Sequence, residues 1–197
     1  MSEVIKAKII IGSTRQNRFS EKPAQWIFNE IKNRNDIIAE ILDLRDYPMP
    51  FFDEAISPPK TKGKYENEVV KQWAEKIKDG DAFIVVAPEY NHGYSGVLKN
   101  ALDSIYVEWN KKPVGFVSYG GVGGARAVEQ LRQVAIELQM APIRNSVHIQ
   151  TPWNLLDEKG NLKPGSFDSY KETANNFIDQ LIWWAQALKS ARQESFK

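Results

Sequence analysis

The feature that most constrains this chain is the alternation of short apolar runs with amphipathic segments. Most of the runs are rich in β-branched residues and apolar nearly throughout, which is typical of parallel strands buried on both faces. Four runs are clear and a fifth is more interrupted; they are Ile9–Ile11, Ile37–Leu44, Ala82–Ala87, Val114–Val117 and, fifth, Ile143–Ile149.

Between these runs, apolar residues recur at spacings of three and four, the pattern of an amphipathic helix. A first helix is expected to end near Asn35–Asp36, with Ile38 still in phase, and another to stop at Gly80 as its C-cap. The helical residues are Trp26, Ile27 and Ile31; Val69, Val70, Trp73, Ala74 and Ile77; Leu98, Leu102, Ile105 and Tyr106; Val128, Leu131, Ala135 and Leu138; and Phe177, Leu181, Ile182, Trp184, Ala185 and Leu188.

Strand and helix alternate five times, so right-handed crossovers predict one doubly wound parallel sheet. The sequence shows no internal repeat and no low-complexity linker, and residues 1–197 are expected to form a single domain. Two segments rich in proline and glycine, 46–64 and 151–166, are predicted to be irregular.

Composition excludes several functions. Lys and Arg together number 26 against 25 Asp and Glu, so the chain lacks the basic surplus with which proteins bind nucleic-acid phosphates. Disulfides, thiolate catalysis and Cys-ligated metals are excluded because the chain has no cysteine. The charged N-terminus is unlike a signal peptide, and no apolar stretch is long enough to cross a membrane. We therefore expect a cytoplasmic protein with no membrane partner.

In an open α/β sheet, ligands bind beyond the carboxyl ends of the strands. The first loop at that edge, residues 12–20, offers three hydroxyls, two guanidinium groups and backbone amides at a helix N-terminus, which favours a phosphate. The alternative is an ordinary capped loop with solvated arginines. The glycine spacings of P-loops and dinucleotide-binding turns are missing, so a monophosphate fits better than a pyrophosphate, and Asp43 is only a weak match to a ribose-binding acid.

The second loop, residues 87–96, combines Tyr90, His92 and Tyr94 with the polar side chains of Glu89 and Asn91. This combination suits a flat heteroaromatic ring, although a rigid turn with packed aromatics is the alternative. No Asp or Ser recognisably pairs with His92, so it is not interpreted as a general base.

The third loop, residues 118–126, has four glycines in the five residues 120–124, which lets backbone amides approach a ligand closely. A glycine-rich loop is a weak signal alone. Three unusual loops at equivalent strand ends form a stronger one.

These loops contain the blocks that relate the chain to a known family. They read Gly-Ser-Thr-Arg at 12–15, Pro-Glu-Tyr-Asn at 88–91 with Leu-Lys-Asn-Ala-Leu-Asp at 98–103, and Ser-Tyr-Gly-Gly at 118–121. Over about residues 5–150 the chain resembles the NADPH-dependent FMN reductase family of the flavodoxin-like superfamily. The resemblance implies a three-layer α/β sandwich, with a five-stranded parallel sheet in the order 2-1-3-4-5 and helices on both faces.

The resemblance also implies where FMN binds. Its phosphate would be held, by side chain or backbone, by Ser13, Arg15, Phe19 and Ser20. Its isoalloxazine ring would be framed by Pro88, Glu89, Tyr90, Asn91, His92, Ser118, Tyr119, Gly120 and Gly121. No catalytic side chain and no metal are expected, because the flavin performs the chemistry.

The activity implied is a ping-pong transfer of a hydride from NADPH or NADH, through FMN, to a small acceptor such as a quinone, azo dye, ferric chelate or chromate. A homodimer or homotetramer is also implied, with Lys99, Asn100 and Asp103 on the helix that pairs the subunits. Because Lys99 and Asp103 are four residues apart, a solvated ion pair within one helix is the alternative.

Two functions without catalysis compete with a reductase. An electron-carrier flavodoxin shares the expected fold, but such carriers are usually acidic and this chain has a net charge of +1. A flavin-dependent redox sensor could use the proline-rich segment 46–64 as its contact surface. A phosphoacceptor receiver domain fits poorly, since Gly12 and Ser13 stand where it needs an acid pair.

Overall fold

The computed structural model describes residues 3–194, which contain a five-stranded sheet in the order β2-β1-β3-β4-β5. Every neighbouring pair of strands is parallel. The predicted sheet and its strand order are thus confirmed. The strands are β1, Ile5–Ile11; β2, Ile37–Asp43; β3, Ala82–Pro88; β4, Pro113–Gly120; and β5, Ala141–Gln150.

Helices cover both faces of the sheet and divide the core in two. Helices α1 and α6 pack on one face, and α3, α4 and α5 pack on the other. The helices are α1, Glu21–Lys32; α2, Pro58–Thr61; α3, Glu68–Asp79; α4, Gly96–Asp103; α5, Ala125–Glu137; and α6, Lys171–Glu194, with short 3₁₀ turns at Pro152–Leu155 and Asp168–Tyr170. No helix within residues 3–194 is long and apolar enough to span a membrane.

Several predicted boundaries were wrong. Helix α1 ends at Lys32, before the predicted Asn35–Asp36, and Ile38 belongs to β2 with 56% of its surface exposed. The amide of Ile5 donates to the carbonyl of Asp36, which draws the chain into the sheet directly after the helix. Ile105 and Tyr106 likewise lie beyond the end of α4.

Strand β1 begins at Ile5, four residues before the apolar run at Ile9 predicted. The prediction was late because Lys8, a buried lysine, interrupts the apolar pattern. Lys8 is 3% exposed, and its ammonium lies 2.6 Å from a Glu40 carboxylate oxygen and 2.7 Å from one of Asp79. A buried charge is tolerated when it is paired in this way. Gly80 ends α3 as predicted, in an extended rather than left-handed conformation.

The topology places the loops after β1 and β3 side by side. The first crossover leads from β1 to β2 on one side, and the next leads from β2 back past β1 to β3 on its other side. Such a reversal opens a crevice at the carboxyl edge of the sheet, the usual ligand site in this architecture. The loop after β4 lies next to it, since β4 pairs with β3.

Candidate functional site

A cleft of about 570 Å³ opens at this edge, within the size range of small-molecule sites. Its walls are the loops after β1, β3 and β4, together with a segment after β5. Seven of the predicted site residues line it: Arg15, Phe19, Pro88, Glu89, Tyr90, Tyr119 and Gly120. The structure places the other six behind or beside the lining: Ser13, Ser20, Asn91, His92, Ser118 and Gly121.

The loop after β1 presents unpaired donors. Asn17 has a left-handed φ of 51°, and no partner is found among the described residues for the backbone amides of residues 16–20. The hydroxyl of Ser20 is buried without a hydrogen-bond partner within the same part of the chain, and it does not cap α1. A buried hydroxyl left unpaired is costly, so a ligand oxygen at this position would satisfy it. Amides, hydroxyl and helix N-terminus together fit a phosphate.

The two arginines of this loop have different environments. Arg18 is 5% exposed, with Nη1 donating over 2.7 Å to Asp43 and Nε over 2.9 Å to Glu21. Nη1 also donates to the carbonyl of Ser13. Arg15 is exposed, lines the cleft and has no side-chain partner among the described residues. Arg18 therefore braces the loop from inside, while Arg15 is available to a ligand.

Asp43, at the end of β2, is the acid that anchors this brace. Burial alone raises the pKa of Asp43, but hydrogen bonds from Arg18 and from the Arg45 amide outweigh burial and hold the pKa below 3.8. The carboxylate therefore stays ionised and paired. Asp43, which the sequence suggested only as a weak match to a ribose-binding acid, is instead the partner of Arg18.

Ser13 and Tyr90 connect the loops after β1 and β3. The hydroxyl of Ser13 is buried and lies 2.8 Å from that of Tyr90. The rings of Phe19 and Tyr119 meet edge to face, 5.1 Å apart between centroids. Burial raises the pKa of Tyr119 to about 12, so the phenol is neutral; the Ser20 hydroxyl lies near enough to act in the opposite direction, but it makes no hydrogen bond of good geometry to the phenol. These contacts form a rigid polar and aromatic floor.

The loop after β3 forms a tight turn between Tyr90 and Gly93, with amide-to-carbonyl bonds of 2.8 and 3.0 Å. Asn91 and His92 occupy its centre with φ of 49° and 70°, the signature of a type I′ turn. Nε2 of His92 accepts from Arg126 over 2.8 Å, so the imidazole lies against α5 rather than on the cleft wall. The Nε2 lone pair, which a general base would use, is thus engaged by Arg126.

Arg126 also neutralises Glu89. The Glu89 side chain is 5% exposed, and its carboxylate accepts from Nε of Arg126 over 2.6 Å and from the Arg126 amide over 3.2 Å. A buried carboxylate is tolerated because these donors satisfy it. The loop after β3 is thereby clamped to the start of α5, and Glu89 brings no free charge to the cleft.

Close packing favours glycine at positions 120 and 124 of the third loop. A Cβ on Gly124, which has a φ of 76°, would lie 2.7 Å from Cβ of Ser118. A Cβ on Gly120 would lie 3.1 Å from Cβ of Glu89. The hydroxyl of Ser118 donates to the carbonyl of Gly123 over 2.6 Å and lies 2.9 Å from Nδ1 of His148, so it holds the loop together. The Ser118 side chain is therefore engaged within the protein.

Residues 152–160 form a wall of the cleft that was not predicted from the sequence. Trp153 is 60% exposed on this wall and follows Thr151, whose φ of 42° is unusual for a β-branched residue. The Thr151 amide donates over 2.9 Å to the carbonyl of Gly120, which ties the wall to the third loop. The prolines and glycines of this segment predicted only an irregular loop. Trp153 was the one residue in it whose type could have indicated a ligand contact. The cleft also includes Asn17 and Arg18 of the predicted phosphate loop, which the resemblance does not name as FMN ligands, and Glu21 and Lys22, which lie outside that loop.

The fold and the cleft together define a flavodoxin-like flavoprotein. The strand order is that of the superfamily, and the cleft offers phosphate donors on one side and aromatic and glycine-rich loops on the other. Its nearest chemical match is a planar ring joined to a single phosphate.

Comparison with known proteins makes the assignment specific. The model of the NADPH-dependent FMN reductase family matches residues 5–154, and the chain belongs to this family. The chain is 40% identical over 139 residues to an NAD(P)H-dependent FMN reductase of Schizosaccharomyces pombe, covering 70% of each protein. It is 29% identical over 187 residues to an FMN-dependent NADPH-azoreductase of Staphylococcus aureus, covering 90% of this chain and 94% of that protein.

Among solved structures, the flavoenzyme NAD(P)H:(acceptor) oxidoreductase from Paracoccus denitrificans is similar in fold. Its TM-score is 0.72 at 20% identity, covering 93% of this chain and 98% of that one. Membership of the family identifies the chain as an oxidoreductase that uses FMN and NAD(P)H.

Proposed function

We propose that this chain is a single catalytic domain over residues 1–197 that holds FMN in the cleft and reduces small acceptors by a ping-pong reaction. The observation that carries this proposal is the buried hydroxyl of Ser20, which lies beside the amides of residues 16–20 and the guanidinium of Arg15, all without a hydrogen-bond partner of good geometry among residues 3–194. Together these groups fit the phosphate of FMN.

When bound, FMN supplies the redox chemistry by taking a hydride from NAD(P)H and passing the electrons to an acceptor. The residues of the cleft bind the flavin and orient it. Arg15 and the amides of 16–20 hold the phosphate, while Pro88, Tyr90 and Gly120 shape the floor under the ring. The Glu89–Arg126 pair keeps that floor rigid. No side chain is needed to move a proton, and the acids that line the cleft, Glu21 and Glu89, are both paired with arginine.

Small planar acceptors fit the cleft best. Trp153 is 60% exposed and lines the cleft on the wall opposite the loop after β1, so a flat acceptor has aromatic surface to lie against. Quinones and azo dyes meet this requirement, and one relative is named an azoreductase. Ferric chelates and chromate are further acceptors, for which the free cations of the cleft provide attraction.

We also propose a cytoplasmic homodimer or homotetramer. Phe51 and Ile56 line one groove and are 83% and 59% exposed, an apolar area of the kind that subunit contacts cover. Asn100 binds the carbonyl of Pro50 and the amide of Phe52, so α4 anchors part of this area. Lys99 and Asp103 pair within α4 at 2.5 Å, as in the alternative prediction.

An electron carrier or a redox sensor remains the competing proposal, and kinetics separate the functions. FMN-loaded protein is mixed without oxygen with NADPH or NADH, and then with a quinone. A reductase bleaches rapidly and recovers its colour with the quinone, and steady-state plots at several quinone concentrations are parallel. Slow or absent bleaching of a flavin-loaded protein would favour a carrier or sensor. A protein that takes up no FMN would overturn the proposal.

A further inference from the structure

The cleft carries more positive charge than a single phosphate requires. Each acid that lines it is already paired: Glu21 lies 2.9 Å from Arg18 and 3.1 Å from Arg45, and Glu89 is held by Arg126. Arg18 in turn is neutralised by Asp43. These groups contribute little net charge to a ligand.

Three other cations line the same cleft: Arg15, Lys22 and Lys159. Within residues 3–194, none of the three has an ion pair or a hydrogen bond from its charged group. Lys22 stands in the first turn of α1, where the helix dipole disfavours a cation. Helix stability therefore does not explain Lys22, whereas an anion bound in the cleft does.

Lys159 lies on the opposite wall, at the tip of a small hairpin. Leu156 and Leu162 pair across its base, and the Asp157 side chain accepts from the amides of Lys159 and Asn161 over 2.9 and 2.8 Å. These bonds use the backbone of Lys159 and leave its ammonium free. The hairpin thus presents a positive charge across the cleft from the loop after β1.

We infer that Lys22 and Lys159 form a second anion subsite, which binds the phosphates of the nicotinamide dinucleotide donor separately from the FMN phosphate. This inference rests on the proposed function. A phosphate monoester carries a charge between about −1.5 and −2, and Arg15, Ser20 and the free amides already match the one in FMN. The two lysines remain for a second ligand, and a dinucleotide brings several phosphate charges into the same cleft.

The test is the double variant Lys22→Ala/Lys159→Ala, with Lys32→Ala as control. Lys32 is an exposed lysine on α1 outside the cleft. Three constants are measured: the Kd of FMN for apoprotein by flavin fluorescence, the Kd of NADP⁺ for FMN-loaded protein by calorimetry, and the KM for NADPH. We expect the NADP⁺ Kd and the NADPH KM to rise by about tenfold or more, because charge-assisted bonds are lost. The FMN Kd should stay within about twofold, as a check that the phosphate site of FMN is untouched.

Salt provides a second readout that folding does not affect. Screening should weaken NADP⁺ binding by the wild type and by Lys32→Ala, and much less by the double variant. Equal losses of FMN and NADP⁺ affinity would overturn the inference, because the lysines would then serve the FMN phosphate. An unchanged NADP⁺ Kd in a variant of an active wild type would overturn it too. Failure of the wild type itself to bind FMN or oxidise NADPH would instead contradict the proposed function.

Discussion

Arg15 and Arg18 lie three residues apart, and the structure predicts that removing their interactions affects FMN affinity and fold stability differently. Arg18 is a buried brace paired with Asp43, whereas Arg15 is a free cation on the cleft wall. We therefore expect Asp43→Asn to reduce the stability of the fold and, through the loop, FMN affinity. Arg15→Ala should reduce FMN affinity alone.

The magnitude follows from the burial of the pair. Removing one partner of a buried ion pair costs about 3–5 kcal/mol, because the other charge is left uncompensated. The loss should be smaller here, since the Asp43 side chain is 24% exposed and Arg18 keeps Glu21 and the Ser13 carbonyl as partners. About 2 kcal/mol of unfolding free energy is expected, which lowers the Tm of a chain of this size by about 4–8 °C. Arg15→Ala should change stability by no more than about 0.5 kcal/mol.

The assay is thermal and denaturant unfolding of the apoproteins, with FMN titrations read by quenching of tryptophan and flavin fluorescence. Asp36→Asn is the matched control, because Asp36 also pairs with an arginine, Arg34, but far from the cleft at the start of β2. The account is refuted if Asp43→Asn leaves the Tm unchanged. It is refuted equally if Arg15→Ala destabilises the apoprotein as much as Asp43→Asn does.

Three further predictions concern the same loops. Ser20→Ala should weaken FMN binding by about tenfold with little loss of apoprotein stability, because within residues 3–194 its hydroxyl only lies near the Tyr119 phenol and makes no hydrogen bond of good geometry; a fall in Tm would show a hidden structural role. Gly124→Ala should lower the unfolding free energy by at least about 1–2 kcal/mol, measured in denaturant, because alanine is strained at a φ of 76°. The pKa of folded Asp43 lies below 3.8, so its stabilisation is complete above that pH and is lost as the pH falls through the folded-state value; a Tm difference between wild type and Asp43→Asn that does not shrink in acid would contradict this.

The parallel sheet was predictable because it depends on apolar periodicity, and its strand order followed from the local motifs that carry the family resemblance. Boundaries were less so. Lys8 interrupts the apolar run of β1, and only the distant Glu40 and Asp79 make it compatible with a buried strand. Ile38 fits the helical phase of α1, yet sheet pairing with Lys6 places it in β2.

The roles of the site residues also depend on contacts between distant parts of the chain. In the sequence, Arg15 and Arg18 are equally good candidates to bind the phosphate. Only the fold shows that Asp43 pairs with Arg18 and not with Arg15. The family resemblance places His92 at the ring, whereas only the fold shows that Arg126 of α5 bonds its Nε2. The wall at Trp153 depends on how the chain leaves β5, which no local pattern encodes. Sequence motifs predict which loops form a site, and long-range pairing decides which side chains remain free in it.

The central claim is that FMN lies in this cleft with its phosphate at the loop after β1. A crystal structure of the FMN complex tests it most directly. We predict phosphate oxygens within hydrogen-bonding distance of the Ser20 hydroxyl, the amides of residues 16–20 and the Arg15 guanidinium, with the ring between Tyr90 and Gly120. A phosphate that leaves Ser20 unpaired, or a flavin bound outside the cleft, would contradict the account.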